Sequence, residues 1–277
     1  MADEYDVVVG LANPDNVPAL VRLGCLLAAE YGGTVTGVTV VETDHAATAA
    51  DIASHDRMSR GYELLDLAEE VARGCDAPFE GRIAIGRGVA EVLDEVAESQ
   101  HARLIIVGFS ERAHPDGDDA EFDRLIDEIA EHALCDLLVA RLRGAQDYRR
   151  LLVPVRERLN LDIRREFVTA LHNQLGAQVE VVHFACSEEE AAAKHDELLA
   201  WLRERGVADW VTLRVDVHPD PAEAIVAAAA HYDAVVLGTA PLHEVRRRYF
   251  GAVPEHVAAH APCTAFLLRT HDVVLPH

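Results

Sequence analysis

The segment His101-Ala-Arg-Leu-Ile-Ile-Val-Gly108 returns 130 residues later as His231-Tyr-Asp-Ala-Val-Val-Leu-Gly238. Each copy carries a short apolar run that ends on a glycine, a pattern typical of a strand buried on both faces of a parallel sheet. Such a strand needs helices on both sides to cover it, so the two copies predict two α/β domains in one chain.

Two further pairs of segments support an internal repeat. Asp6–Leu11 matches Arg150–Val155 at an offset of 144 residues, and Glu131–Arg141 matches Ala259–Arg269 at an offset of 128 residues. The matching segments follow the same order in both halves, and the changing offset reflects loops of different length. The chain is therefore predicted to be a tandem repeat.

Strand and helix patterns alternate within each half. In the first half we predict strands at 7–11, 34–41, 79–85, 104–108 and 137–142, and helices at 17–31, 57–75, 90–100 and 120–133. In the second half we predict strands at 151–155, 178–184, 210–217, 234–238 and 264–269, and helices at 163–175, 187–205, 221–231 and 252–260. The alternation predicts two doubly wound, Rossmann-like parallel sheets that bind ligands at the carboxyl ends of their strands.

The ends of the first helix and the domain boundary have their own signals. Asn13 or Asp15 is expected to cap the helix at 17–31, and the glycine pair that follows Tyr31 is expected to end it. The polar stretch after the first half predicts domains over residues 1–144 and 145–277.

The charge balance narrows the class of partner. The chain has 48 acidic and 25 basic residues, a net charge of −23, and Lys194 is its one lysine. Such a charge repels nucleic acids and anionic lipid surfaces, so we expect neither nucleic-acid binding nor membrane insertion. Excess carboxylate with almost no lysine indicates a salt-loaded cytoplasm, as in halophilic archaea, where salt screens the repulsion. An unusually acidic protein from ordinary cytoplasm is the alternative.

The net charge is divided unevenly between the two halves of the chain. Residues 1–146 carry 29 acidic and 11 basic residues, whereas residues 147–277 carry 19 and 14. The chain begins with an acidic stretch and holds no apolar run as long as a membrane span.

The five cysteines have no C-x-x-C pair, which predicts buried free thiols rather than a zinc site or a disulfide scaffold. They are Cys25, Cys75, Cys135, Cys186 and Cys263.

Taken together, the element order, the glycine that closes the fourth strand and a His-Ala-x-Cys before the fifth resemble the universal stress protein family. The clearest pieces are Val235–Gly238 and Phe250–Cys263. The resemblance covers both halves and implies the Rossmann-like fold that the family shares with adenine nucleotide α-hydrolases. The opening Val9–Asn16 also resembles stress-protein domains that accompany archaeal amino-acid permeases, which implies a membrane transporter as partner.

Members of this family pair through their last strands. The resemblance therefore implies that segments 137–142 and 264–269 associate within one chain as an internal pseudo-dimer, which would seal two sheet edges. A homodimer of the whole chain is the other pairing that the resemblance allows.

Nucleotide-binding members carry Gly-x-x-Gly, nine residues, and then Gly-Ser or Gly-Thr. Glycines let the backbone wrap phosphates, and the hydroxyl residue starts a helix whose N-terminus favours an anion. The second half keeps this spacing, but Pro241 replaces the second glycine and Ala252 replaces the hydroxyl residue. The residues expected to contact ATP or AMP there are Gly238, Thr239, Arg246, Arg247, Arg248, Gly251 and Ala252.

The first half keeps less of the pattern. Gly108-Phe-Ser-Glu111 lacks the second glycine, and Asp123-Arg124 stands where Gly-Ser is expected. The loop at 112–119 is acidic and would repel a triphosphate, so we predict that the nucleotide site is lost in this half. A hydrated loop is the favoured interpretation of that stretch, and a cation site with His114, Asp116, Asp118 and Asp119 is the alternative.

No catalytic or metal-binding motif stands out. His256 and His260 lie four residues apart on one predicted helix face, but without a third ligand they favour a structural role. The sequence therefore predicts a non-catalytic regulatory binding protein of the stress-protein type. The alternative is a sensor of ATP or AMP that uses the second-half loop, with at most slow hydrolysis.

Overall fold

The computed structural model describes residues 5–42, 55–109, 126, 128–129, 133–144, 146–156, 161–238 and 252–271, with no side-chain description at 55 and 161–163. The chain divides into two compact units. Unit 1 comprises residues 1–140 and 270–277, and unit 2 comprises residues 141–269. His271 ties the last segment to unit 1, because its backbone N–H donates to Asp136 Oδ1 at 2.9 Å.

Unit 1 is a sheet of strands with the order β3-β2-β1-β4-β5. Its strands are β1 Val7–Gly10, β2 Val35–Glu42, β3 Phe79–Gly86, β4 Leu104–Phe109 and β5 Asp136–Arg141. Its helices are α1 Val17–Tyr31, α2 His55–Ala72 and α3 Val89–Ser99. The pairs β1–β2, β1–β4 and β2–β3 are parallel.

Unit 2 repeats this design with the order β8-β7-β6-β9-β10. Its strands are β6 Arg150–Pro154, β7 Gln178–Ala185, β8 Val211–Val217, β9 Ala234–Gly238 and β10 Thr264–Arg269. Its helices are α4 Leu161–Leu175, α5 Glu188–Glu204, α6 Pro221–Ala229 and α7 Ala252–His260. All four strand pairs given for this unit with their register are parallel.

The predicted α/β class and the two doubly wound sheets are confirmed. Each sheet has its first strand, β1 or β6, between the second and the fourth, which is the point where the strand order reverses. Ligands of open parallel sheets bind at this point, beyond the carboxyl ends of the strands. Most of the helix predicted at 120–133 lies outside the described residues. Residues 126, 128 and 129 are described, and they are helical.

The core of each unit follows from its apolar strands. Val7, Val8 and Val9 of β1 are at most 1% exposed. In unit 2, Phe266 of β10 packs edge-on against Phe167, with ring centroids 5.0 Å apart. Because both faces of these strands are covered, the carboxyl edge is the part of each sheet left for a ligand.

The start of α1 differs from the prediction. The residue that caps the helix is Asn16, and its side chain makes no capping hydrogen bond. Asn13 instead uses its Oδ1 to accept from the backbone N–H of Asp15 at 3.0 Å, a local turn that keeps both predicted caps outside the helix. The end of α1 is as expected, because Gly32 adopts the left-handed conformation at φ 76°.

Candidate functional site

A cavity of about 570 Å³ opens at the carboxyl edge of unit 1. It lies beyond the ends of β1, β2 and β4, and residues of α1, α2 and α3 complete its wall. Small-molecule sites are usually concave spaces of about 300–1,000 Å³ at this position in α/β sheets. The cavity is therefore the candidate ligand site of the described part of unit 1.

The inner wall of the cavity is apolar. Leu20 of α1, Leu93 of α3 and Val107 of β4 line it. Leu20 is 2% exposed and lies over Gly108, where a Cβ atom would come within 2.6 Å of Leu20 Cδ1. A side chain at Gly108 would therefore displace Leu20 from its place in the cavity wall.

The rim of the cavity is polar and carries two arginines. Arg57 and Arg60 lie one turn apart on α2, and both are exposed. Arg57 Nη1 donates to the backbone oxygen of Glu42, which ends β2, at 3.1 Å. An apolar wall with guanidinium groups at one end suits a small molecule that has an apolar body and an acidic group.

In unit 2 the corresponding position is occupied by a buried cation. At the offset of 144 residues, Leu20 corresponds to Arg164 on α4, which is 5% exposed. Arg164 Nη1 donates to the backbone oxygen of Pro154 at 2.7 Å. Its Nε atom lies 2.8 Å from the place where a Cβ of Gly238 would stand. Burial lowers the pKa of Arg164 to about 10, and the side chain remains charged at neutral pH.

A second pair of corresponding residues differs in the same way. Thr39 Oγ1 donates to the backbone oxygen of Leu11 at 3.4 Å in unit 1. Its counterpart His183 uses Nδ1 to donate to the backbone oxygen of Val155 at 2.8 Å. His183 is 4% exposed, and its Nε2 has no hydrogen-bond partner among the described residues. Unit 2 therefore places two basic side chains beside the end of β6.

The nucleotide residues predicted in unit 2 are only partly described. Gly238 ends β9, and Ala252 is the first residue of α7. Thr239, Arg246, Arg247, Arg248 and Gly251 lie outside the described residues, as does the acidic loop at 112–119. Their contact with a nucleotide or a cation stays a prediction.

Sequence reasoning did not identify the cavity of unit 1 or the two buried basic residues of unit 2. Motif matching looks for glycines and hydroxyl residues, whereas these positions are set by helix packing against a strand end. An alignment of the halves at the offset of 144 residues would have paired Leu20 with Arg164 and Thr39 with His183.

The two histidines of α7 have partners in unit 2. His256 Nε2 lies 2.8 Å from Glu223 Oε1, and His260 Nδ1 donates to the backbone oxygen of His256 at 2.8 Å. Their rings stack with centroids 4.2 Å apart. Within the described ranges, no group of three or more metal-ligating side chains gathers at one point.

The burial of the cysteines and the length and apolar character of the helices test two further predictions. All five cysteines are free thiols, but only Cys25 and Cys263 are buried, whereas Cys186 is exposed on the surface of unit 2. The prediction of five buried thiols is thus wrong for the other three. Of the helices that the structure describes, none combines the length and the apolar character needed to cross a bilayer.

Comparison with known proteins identifies relatives along nearly the whole chain. The model of the universal stress protein family matches residues 6–141 and 147–269. A sequence relative is the Na⁺/H⁺ antiporter NhaS5 of Synechocystis sp., 27% identical over 259 residues. The match covers 91% of this chain but only 36% of the antiporter.

Solved structures share the fold. A universal stress protein from Archaeoglobus fulgidus superimposes with a TM-score of 0.67 at 12% identity, covering 96% of this chain and 98% of that protein. The cytoplasmic domain of a prokaryotic cation chloride cotransporter gives a TM-score of 0.62 at 10% identity, covering 97% and 96%. The family match and these neighbours confirm the predicted family in its tandem form.

Proposed function

Because the chain belongs to the universal stress protein family over both of its units, we propose that it is a non-catalytic regulatory protein that binds a small acidic molecule and acts on a membrane transporter. The observation that carries the ligand part is the cavity of unit 1, with its apolar wall and the arginines of α2 at the rim. The chemistry that we propose for this cavity is recognition of a ligand, for which guanidinium groups supply charged hydrogen-bond donors.

The transporter part rests on the relatives. One relative is an antiporter of which this chain matches about a third, and a cotransporter has a cytoplasmic domain of the same fold. A segment similar to this chain is thus part of an antiporter, and a domain with the same fold is part of a cotransporter. We propose that this chain acts from the cytoplasmic side, in a high-salt cytoplasm, on a transporter of inorganic ions.

A second candidate function is sensing of ATP or AMP in unit 2, with at most slow hydrolysis. Its support is Gly238 at the carboxyl end of β9, together with the buried guanidinium of Arg164 against it. A positive charge under a phosphate loop would favour an anion. Under either candidate, we propose that unit 1 has lost nucleotide binding and that the unit 2 pattern is eroded.

The test of the ligand is calorimetry and thermal shift on the full chain in high-salt buffer. ATP, AMP and a panel of small carboxylates are titrated, and nucleotide that copurifies is measured by chromatography. We expect a carboxylate to raise the Tm, and Arg57→Gln with Arg60→Gln to weaken its binding about tenfold or more. Arg73→Gln, beyond the end of the same helix, is the matched control and should bind as the wild type does.

The outcomes separate the two candidates. ATP or AMP binding that survives the double substitution in α2 and fails in Arg164→Leu would establish the unit 2 sensor. No heat and no change in Tm with any compound would contradict ligand binding and leave protein contact as the function to test.

The transporter proposal needs a flux measurement. Membrane vesicles that contain an ion antiporter are assayed for Na⁺/H⁺ exchange with and without the added chain. We expect the chain to change the exchange rate. An unchanged rate at saturating chain would argue against an ion antiporter as partner. The pairing of segments 137–142 and 264–269, like a homodimer, stays a prediction that sedimentation of the full chain addresses.

A further inference from the structure

Asn16 is a buried polar residue in the wall of the unit 1 cavity. It lies at the start of α1, is 5% exposed, and lines the cavity together with Leu20, which is one helical turn further on. An asparagine at this position usually caps its helix with the side chain. Here the side chain makes no capping hydrogen bond, and the described part of the chain offers it no other hydrogen-bond partner.

A buried amide without partners is costly to a folded protein, because it gives up its hydrogen bonds to water and receives none in return. The side chain of Asn16 has one acceptor, Oδ1, and two donors on Nδ2. A bound molecule that both donates and accepts would recover this cost, and a neutral group does so without burying a charge. A hydroxyl and a carboxamide are neutral groups of this kind.

The N-terminal end of α1 favours a neutral group over a second carboxylate. The first backbone N–H groups of a helix have no partner within it and give this end a partial positive charge, which attracts an oxygen atom. Pro18 lies in the first turn of α1 and has no N–H. The helix end therefore has one donor fewer than usual for holding an anion.

The charges at the rim set the charge of the acid. Among the described residues that line the cavity, the charged ones are Glu42, Arg57 and Arg60, and all three are exposed. Two guanidinium groups and one carboxylate leave the rim with a single net positive charge. A monocarboxylate neutralises this rim, whereas a dicarboxylate or a triphosphate would bring excess negative charge close to Glu42.

From these observations we propose that the ligand of unit 1 is a monocarboxylic acid with a hydroxyl or a carboxamide on its apolar chain, and that Asn16 recognises this neutral group. The two arginines of α2 bind the carboxylate, and the apolar chain lies against Leu20 and Leu93. This selectivity rests on the proposed function, since the cavity must first bind an acid. It adds a specificity-determining residue and the second functional group of the ligand.

Such a site rejects an acid that lacks the neutral group. The unsubstituted acid leaves the amide of Asn16 buried without a partner, and sites with buried polar groups discriminate strongly for this reason. We expect the acid with a hydroxyl or a carboxamide to bind about ten- to a hundredfold more tightly than the unsubstituted acid of the same length.

The test is calorimetry on the full chain in high-salt buffer, with matched sets of acids of increasing chain length. Each set contains the unsubstituted monocarboxylate, its isomeric hydroxy acids, its ω-carboxamide and the dicarboxylate. We expect a hydroxy acid or a carboxamide to bind best at one chain length, and the dicarboxylate to bind more weakly. Equal dissociation constants for substituted and unsubstituted acids at every length would overturn the proposal.

Two substitutions show whether Asn16 is responsible for the preference. Asn16→Leu keeps the shape of the side chain without its polar atoms, so substituted and unsubstituted acids should bind within about twofold of each other. It should not lower the Tm of the free chain, because Asn16 supplies no capping hydrogen bond. Asp15→Asn changes an exposed neighbour that does not line the cavity, and this control should keep the full preference.

The outcomes separate this selectivity from the proposed function. Acids that bind without preference, and that lose binding in Arg57→Gln with Arg60→Gln, would support the proposed function and overturn the role of Asn16. A preference that persists in Asn16→Leu would overturn that role as well. If no acid binds the wild-type chain, the proposed function and the role of Asn16 fail together.

Discussion

Leu20 of unit 1 and Arg164 of unit 2 hold the same place in the repeat, and each lies against a glycine near the carboxyl end of the fourth strand of its sheet, Gly108 or Gly238. In unit 1 the apolar side chain forms one wall of an open cavity. In unit 2 the guanidinium group of Arg164 donates a hydrogen bond to the backbone oxygen of Pro154, the last residue of β6. One position therefore decides whether the carboxyl edge presents an apolar wall or a buried positive charge.

The backbone around this position is conserved between the units. Leu11 donates its N–H to Val38 at 2.8 Å, and Val155 donates to Val182 at the same distance. The next residue on the second strand is Thr39 in unit 1 and His183 in unit 2. The comparison shows that a repeated backbone can carry different chemistry, because the strand register fixes positions rather than side chains.

The largest expected effect is at a glycine that only unit 1 requires. A Cβ at Gly33 would lie 2.1 Å from the backbone oxygen of Tyr5, and backbone cannot move aside as a side chain can. We expect Gly33→Ala to lower the free energy of unfolding by about 3–5 kcal/mol. Unit 2 already has Ala177 at this place, so Ala177→Gly should cost only about 1 kcal/mol. Urea unfolding at fixed salt measures the free energy of unfolding of both variants. Equal losses in the two variants would contradict this difference between the units.

An exchange of the site residues between the units is the next largest test. Leu20→Arg should lower the free energy of unfolding by about 2–4 kcal/mol, because it puts a charge into an apolar wall. Arg164→Leu should stay within about 2 kcal/mol of the wild type, since it removes a buried charge along with the hydrogen bond to the backbone oxygen of Pro154. Denaturant titration of the two variants decides. If both substitutions lower the free energy of unfolding by the same amount, this position does not distinguish an apolar wall in unit 1 from a buried charge in unit 2.

The hydrogen bonds to the first strand predict a smaller difference. His183→Leu leaves the buried backbone oxygen of Val155 without its donor and should cost about 1–3 kcal/mol. Thr39→Val removes a longer bond of 3.4 Å and should cost less than about 1 kcal/mol. Thermal unfolding compares the variants, and His183→Asn, which keeps a donor, should recover part of the loss. A larger cost for Thr39→Val than for His183→Leu would reverse the comparison.

The smallest expected effect is the response of two matching cysteines to alkaline pH. Burial raises the pKa of Cys135 in unit 1 to about 12 and that of Cys263 in unit 2 to about 11, from an ordinary value near 9. A thiol whose pKa is higher in the folded state contributes stability that is complete below pH 9 and is lost as the pH rises towards these values. At pH 10 the loss should be about 1 kcal/mol for each thiol.

Substitution separates this loss from other alkaline effects. Urea unfolding at pH 8 and pH 10 is compared for the wild type, Cys135→Ala and Cys263→Ala. Each substitution should reduce the difference in the free energy of unfolding between the two pH values by about 1 kcal/mol. An unchanged difference in both variants would show that these two thiols do not couple folding to pH.

Most of the fold could be predicted from local patterns. The apolar runs at 104–108 and 234–238 are buried strands, as their composition requires, and α1 spans the residues that its leucine spacing indicated. Prediction of the α1 cap failed because Asn13 bonds to a backbone N–H within the preceding turn. Such a choice between two local hydrogen bonds is not visible in spacing alone.

The sequence by itself determined the tandem repeat, the alternation of strands and helices and the family, because these depend on periodic apolar residues and on segments that recur in order. Only the tertiary structure placed a cavity between α1, α2 and three strand ends and set Arg164 over Gly238. These contacts join residues far apart in the chain. Their closeness is set by helix packing on the sheet, where side-chain volume decides which atoms meet.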